Sequence, residues 1–205
     1  MWAGQIQPAY APELDLVGVS GGGVPANLAA VAAGLDGKWG FGVEAYAVLA
    51  LDHAYPELNL ASHLNDAGRA FFAEIEQNDC LLELITDNEG KSVKDLTTSN
   101  PVGTTTWINR VQQNQLGTQP IKVPVFDYGA TNDQLVAPTQ QNALQQAYCA
   151  LGVILTWKTY PVDHITGVFL GNADVLAFIK DQIAGRPAAS TCSGRDVRLL
   201  RSARP

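Results

Sequence analysis

The sequence predicts an α/β fold: a mostly parallel sheet wound with helices and interrupted by a helical insertion. Three observations carry this. Residues 14–19 form a short, mostly apolar run, followed by Ser20-Gly21-Gly22-Gly23 and a helical pattern. Residues 121–129 and 153–160 repeat that order, each apolar or β-branched and each leading to a helix over 138–151 or 173–184. Residues 40–118 contain helical spacing and no convincing strand. Alternating strand and helix patterns read as βα units on a parallel sheet, whose buried strands are near-continuously apolar.

Taken in order, residues 2–7 read as the end of a helix. Pro8 and Pro12 then break it, because each proline fixes φ and removes a donor. Pro25 suits a helix first turn, and residues 26–35 continue at helical spacing. Phe41, Val43, Ala45, Val48 and Leu49 belong to a strongly apolar helix that His53-Ala54-Tyr55-Pro56 closes. Asn65 is placed to cap the next helix, with Phe71, Phe72, Ile75, Cys80, Leu81, Leu84 and Ile85 as its inner stripe. Asp87-Asn88-Glu89-Gly90 is a turn, and Thr104-Thr105-Thr106 leads into another short helix. Gly152 stops the helix that Pro138 opens, and Gly185 with Pro187 ends the last one. His164 is expected in the loop before that last helix. The expected organisation is one domain over 1–192, with a helical insertion at about 26–118 and a mobile basic tail over 193–205.

Composition narrows the function classes. The chain has 205 residues, 46% hydrophobic, with a net charge of -7. A single globular domain with a sizeable core fits this. Acidic balance argues against a nucleic-acid partner, which would want a basic face. No run of about 18 apolar residues is present, so no transmembrane helix is expected. The first residues show no secretory signal pattern. Cys80, Cys149 and Cys192 have no metal-ligand spacing, which argues against a Cys-based zinc site, and the oxygen-rich loops do not resemble a metal-binding spacing; no cofactor is expected. A bridge between Cys149 and Cys192 would pin the tail to the body, and would imply an oxidising compartment.

Gly18-Val19-Ser20-Gly21-Gly22 is a literal G-x-S-x-G, the pattern in which a serine sits on a tight strand-to-helix turn. Such a serine is a weak nucleophile until an imidazole takes its proton and a carboxylate orients that imidazole. Asp133 follows the second strand and His164 the third. In a parallel sheet those carboxyl ends share one edge. Ser20, Asp133 and His164 therefore form a candidate set, in the chain order of α/β-hydrolases, with the Gly21 N–H as the nearest oxyanion donor. Asp127, inside its strand, and Asp163, next to the histidine, compete for the acid role. His53 and His63 lie in the helical block and read as ordinary polar positions.

The chain around these residues resembles the secretory lipase family, α/β-hydrolases typified by fungal lipase A. The matching words are Tyr10-Ala11-Pro12-Glu13-Leu14, Val17-Gly18-Val19 leading to Gly22-Gly23-Val24-Pro25-Ala26-Asn27-Leu28, Asp133 with Pro138, Cys149-Ala150-Leu151-Gly152, His164, and Ala184-Gly185-Arg186-Pro187-Ala188 followed by Cys192. The likeness spans the chain up to Cys192. It implies a carboxylic-ester hydrolase acting on acyl esters or lipids, secreted, with Asp133 and His164 as triad acid and base. It implies a lid in the helical insertion and a Cys149–Cys192 disulfide. It also implies that the family's own nucleophile and first strands lie upstream of the residue matching Met1. Ser20 is then a coincidental match or a replacement nucleophile. With those strands missing, the first strand has an open edge through which a homodimer could form.

Overall fold

The structure, a computed structural model, describes residues 1–78 and 80–192. The tail expected over 193–205 lies outside them. In chain order the elements are α1 (Trp2–Tyr10), β1 (Val19–Gly22), α2 (Leu28–Leu35), α3 (Phe41–Ala54), α4 (Asp66–Asn78), α5 (Leu81–Thr86), α6 (Val93–Leu96), α7 (Thr105–Gln113), β2 (Val125–Ala130), α8 (Pro138–Ala150), β3 (Leu155–Tyr160) and α9 (His164–Ile183). The chain divides into two compact units. Met1–Ala26 with Leu116–Pro205 is one, and Asn27–Gln115 is the other.

The first unit holds a parallel sheet in the order β1-β2-β3. Every residue of β2 is buried, as a central parallel strand requires. Val125 and Leu155 face one apolar cluster with Leu144, Tyr148 and Val153, which α8 covers. Phe126, Tyr128 and Tyr160 face the other, with Val175 and Phe178 of α9. The outer edge of β3 is held by the segment after α9. Thr191 N–H donates to Leu155 O at 2.7 Å, and Cys192 is joined to Cys149 by a disulfide. The outer edge of β1 carries no strand among the described residues.

The second unit is helical. Trp107 is wholly buried, and its Nε1–H donates to Leu58 O at 3.1 Å in a core built from Phe41, Leu49, Phe71, Phe72, Ile75 and Leu84. Asn65 accepts from Gly68 N–H, as its position predicts. Cys80 is exposed rather than inward. It stands at the N-cap of α5, between two helices that do not share one register. The Leu81 side chain lies outside what is described.

Three sequence expectations shift. Pro8 lies inside α1, not beyond it; the Gln7 side chain satisfies Ala11 O and Leu14 O at the frayed end, so the last turn persists. The first strand is Val19–Gly22, not residues 14–19. Composition favoured the more apolar run, but pairing follows register, and Ser20 is matched to Phe126 and Gly22 to Tyr128. Gly22 suits that place because a Cβ there would sit 2.0 Å from the Tyr128 ring. Finally, His164 is the first residue of α9 rather than a loop residue. Asp163 caps that helix, accepting from Thr166 N–H at 3.0 Å. Gly171, which looked like loop, lets α9 lie against β2: a Cβ there would be 2.6 Å from the Tyr128 ring.

Candidate active site

The parallel sheet brings three chain segments to one edge. β1 ends at Gly22-Gly23, β2 runs into the Asp133 turn, and β3 runs into Asp163-His164. The last two are tied together: Thr131 N–H donates to Tyr160 O at 2.9 Å, and Asn132 N–H to Val162 O at 3.1 Å. Asp133 and His164, 31 residues apart in sequence, meet there. His164 Nδ1 lies 2.8 Å from Asp133 Oδ2.

Asp133 is held on all sides. Its side chain is 1% exposed. Oδ1 accepts from the Leu135 and Val136 N–H groups at 3.0 and 2.7 Å, while Oδ2 also accepts from Gln141 Nε2 at 2.8 Å. An oxygen pair already receiving three N–H donors acts as an acceptor toward the imidazole as well, which places the imidazole proton on Nδ1. Nε2 is then a free acceptor, and among the described residues it takes no hydrogen bond. Gln134 Oε1 accepts from the His164 backbone N–H at 3.2 Å and fixes the start of α9. Gly23 completes the small pocket with Tyr128, Gly167 and Val168. Its φ is +54°, and a Cβ there would lie 2.6 Å from His164 Cε1. Only glycine both turns the chain here and clears the ring.

Ser20 is not brought to this pair. The tight turn that the motif assigns to Ser20 occurs at Gly23, three residues on. Ser20 lies within β1, its Oγ buried without a hydrogen-bond partner. Gly21 is likewise in the ladder, opposite Asp127, and a Cβ on it would point toward Val24. The N–H at the strand end belongs to Gly23, and it donates to Tyr128 O at 2.9 Å. The serine and the oxyanion donor of the expected set are therefore displaced from the pocket by the shift of the strand.

The competing carboxylates sit elsewhere. Asp163 caps α9, and the Thr166 hydroxyl and N–H hold its carboxyl below the ordinary range. Asp127 is buried in β2 with neither oxygen hydrogen-bonded, and burial pushes its carboxyl up to about 8. His53 faces Glu76 at 3.2 Å and His63 faces Ser99 at 2.9 Å, both inside the helical unit. Among the described residues no group of three or more His, Cys, Asp or Glu could hold a metal ion. Sequence reasoning missed Gln141 and Gln134. The signal for Gln141 was a polar residue one turn into a helix on its inward face.

The family model for secretory lipases matches residues 1–191. A secreted triacylglycerol lipase of Malassezia furfur is 30% identical over 204 residues, covering 93% of this chain and 41% of that protein. A probable inactive lipase of Mycobacterium tuberculosis is 27% identical over 192 residues, covering 91% and 43%. Candida antarctica lipase A has the same fold, with a TM-score of 0.86 at 25% identity over 93% of this chain and 47% of that one. The chain thus spans about half the length, or less, of these proteins.

Proposed function

The chain belongs to the secretory lipase family, an α/β-hydrolase fold, and from that premise we propose that it serves carboxylic-ester hydrolysis by supplying the acid–base pair. His164 takes the proton of an attacking serine through Nε2 and returns it to the leaving alcohol. Asp133 holds the imidazole with its proton on Nδ1 and stabilises the cation formed in between. The observation that carries the reading is the 2.8 Å contact from Nδ1 to a carboxylate already fixed by Leu135, Val136 and Gln141. The substrate class is acyl esters, lipids included. The working place is outside the cell, supported by the secreted Malassezia furfur relative and by the Cys149–Cys192 disulfide.

On this reading the nucleophile is a serine other than Ser20. The enclosed, unpartnered Ser20 hydroxyl supports that. A chimera tests it, in which this chain replaces the matching stretch of the Malassezia furfur lipase. Turnover of a p-nitrophenyl ester should appear, fall to background in His164→Ala, and survive Ser20→Ala. Turnover indifferent to His164 would sink the assignment. A folded chimera without turnover would favour the second reading, a lipase-like chain that binds acyl groups without cleaving them, as the relative named a probable inactive lipase invites.

A further inference from the structure

Asp133 is pinned at one oxygen by its own turn, because Leu135 and Val136 N–H both donate to Oδ1. A carboxyl held at a single oxygen can still swing the other. The oxygen that His164 uses is Oδ2, and its second donor comes from α8. Gln141 is 3% exposed and donates from Nε2 both to Asp133 Oδ2, at 2.8 Å, and to Val136 O, at 2.7 Å. The amide is therefore anchored on the backbone of the same turn that it braces. Its far end has a place made for it. A Cβ at Gly129 would lie 1.6 Å from Gln141 Oε1 and 2.7 Å from its Cδ. Gly129 stands in β2 with φ outside the left-handed region, so chain geometry does not demand glycine there, and the space for the amide does.

From this we propose that Gln141 is a positioning residue for the acid–base pair, and that Gly129 is the gap through which it reaches. Gln141 touches neither substrate nor the reacting atoms. It fixes the direction of the Oδ2 lone pair, which fixes the imidazole plane and keeps the proton on Nδ1. An asparagine or a branched apolar residue at 141 would fill space and leave Oδ2 free to rotate. Any side chain at 129 would evict the amide with Gln141 itself unchanged. The inference rests on the acid–base reading of Asp133 and His164.

Proton NMR of the disulfide-intact chain tests it without any turnover. The wild-type chain should show a downfield His164 Nδ1–H resonance protected from solvent exchange. Gln141→Met keeps length and volume and removes the donor, and it should speed that exchange by about tenfold, the factor one hydrogen bond of ordinary strength supplies. Gly129→Ala should act in the same direction. In the chimera, Gln141→Met should lower kcat and leave KM unchanged. A folded Gln141→Met chain with wild-type resonance and exchange overturns the proposal, since packing alone would then explain the residue. A Gln141→Met chain that fails to fold overturns it also, by making the role structural. Absence of the resonance from the wild-type chain would instead sink the acid–base reading itself.

Discussion

Asp127 and Asp133 are two buried carboxyls six residues apart, one inside β2 and one just past its end. Asp133 has both oxygens used: two backbone N–H groups on one, an amide and an imidazole on the other. Asp127 has neither oxygen in a hydrogen bond of ordinary geometry, and the Tyr128 N–H beside it offsets only part of the effect of burial. Burial alone therefore does not fit a carboxyl to hold an imidazole. A carboxylate can remain an acceptor in a low-dielectric place only where donors converge on it, and the open end of a parallel strand supplies them while the paired body of the strand does not.

The largest effects should separate these two residues. In the chimera, His164→Ala should cost on the order of a thousandfold or more in kcat, and Asp133→Asn a comparable factor, since either breaks a unit that works together. Asp127→Asn, tested beside them, should leave kcat within about twofold. Equal losses from Asp127→Asn and Asp133→Asn would erase the distinction.

The disulfide comes next. Cys149 and Cys192 close a loop of sequence separation 43 and hold the covering segment on β3. Replacing both by serine should destabilise the sheet unit by about 4 kcal/mol, read as a lower urea midpoint. An unchanged midpoint would mean that the Thr191 pairing holds that edge unaided.

Stability against pH should follow the unsatisfied carboxyls. Asp127 is pushed from 3.8 to about 8 by burial, and Glu44, inside the helical unit, from 4.5 to about 8 by burial and then by the charge of Asp36. Unfolded, both ionise near 4; folded, both keep their protons to about 8. The unfolded state thus binds fewer protons across that window, and stability falls as pH rises from about 4 to about 8. Urea midpoints should show the fall, Asp127→Asn should flatten it in the sheet unit, and Glu44→Gln should flatten it in the helical unit. A midpoint that climbs from pH 5 to 8 in the wild-type chain would contradict both assignments.

How much of this could be read from residues alone follows the same division. The meeting of Asp133 and His164 was legible because each stands just past a strand, and parallel strands must end together. The disulfide was open as a hypothesis from the positions of Cys149 and Cys192, and the family words around them implied it. The position of β1 was not legible: residues 14–18 are the more apolar, yet Val19–Gly22 pairs, because Gly22 admits the Tyr128 ring and the register is set by β2. The start of α9 was hidden for a related reason. Gly167 and Gly171 read as loop until β2 lies against them. Gln141 was hidden because its partner is reached through the missing side chain of Gly129.

The smallest effect belongs to the motif that looked most catalytic. Ser20→Ala removes a buried hydroxyl that has no partner, so stability should change by about 1 kcal/mol or less, in either direction. A larger loss would show that the hydroxyl is satisfied in solution.

Labelling the purified chain with a fluorophosphonate probe, followed by peptide mapping, bears most directly on the central claim. Under the proposal that Asp133 and His164 form the acid–base pair and that Ser20 is not its nucleophile, the peptide bearing Ser20 should carry no label. Label on Ser20 that disappears in His164→Ala would contradict the account, because it would prove that β1 delivers its serine to the imidazole.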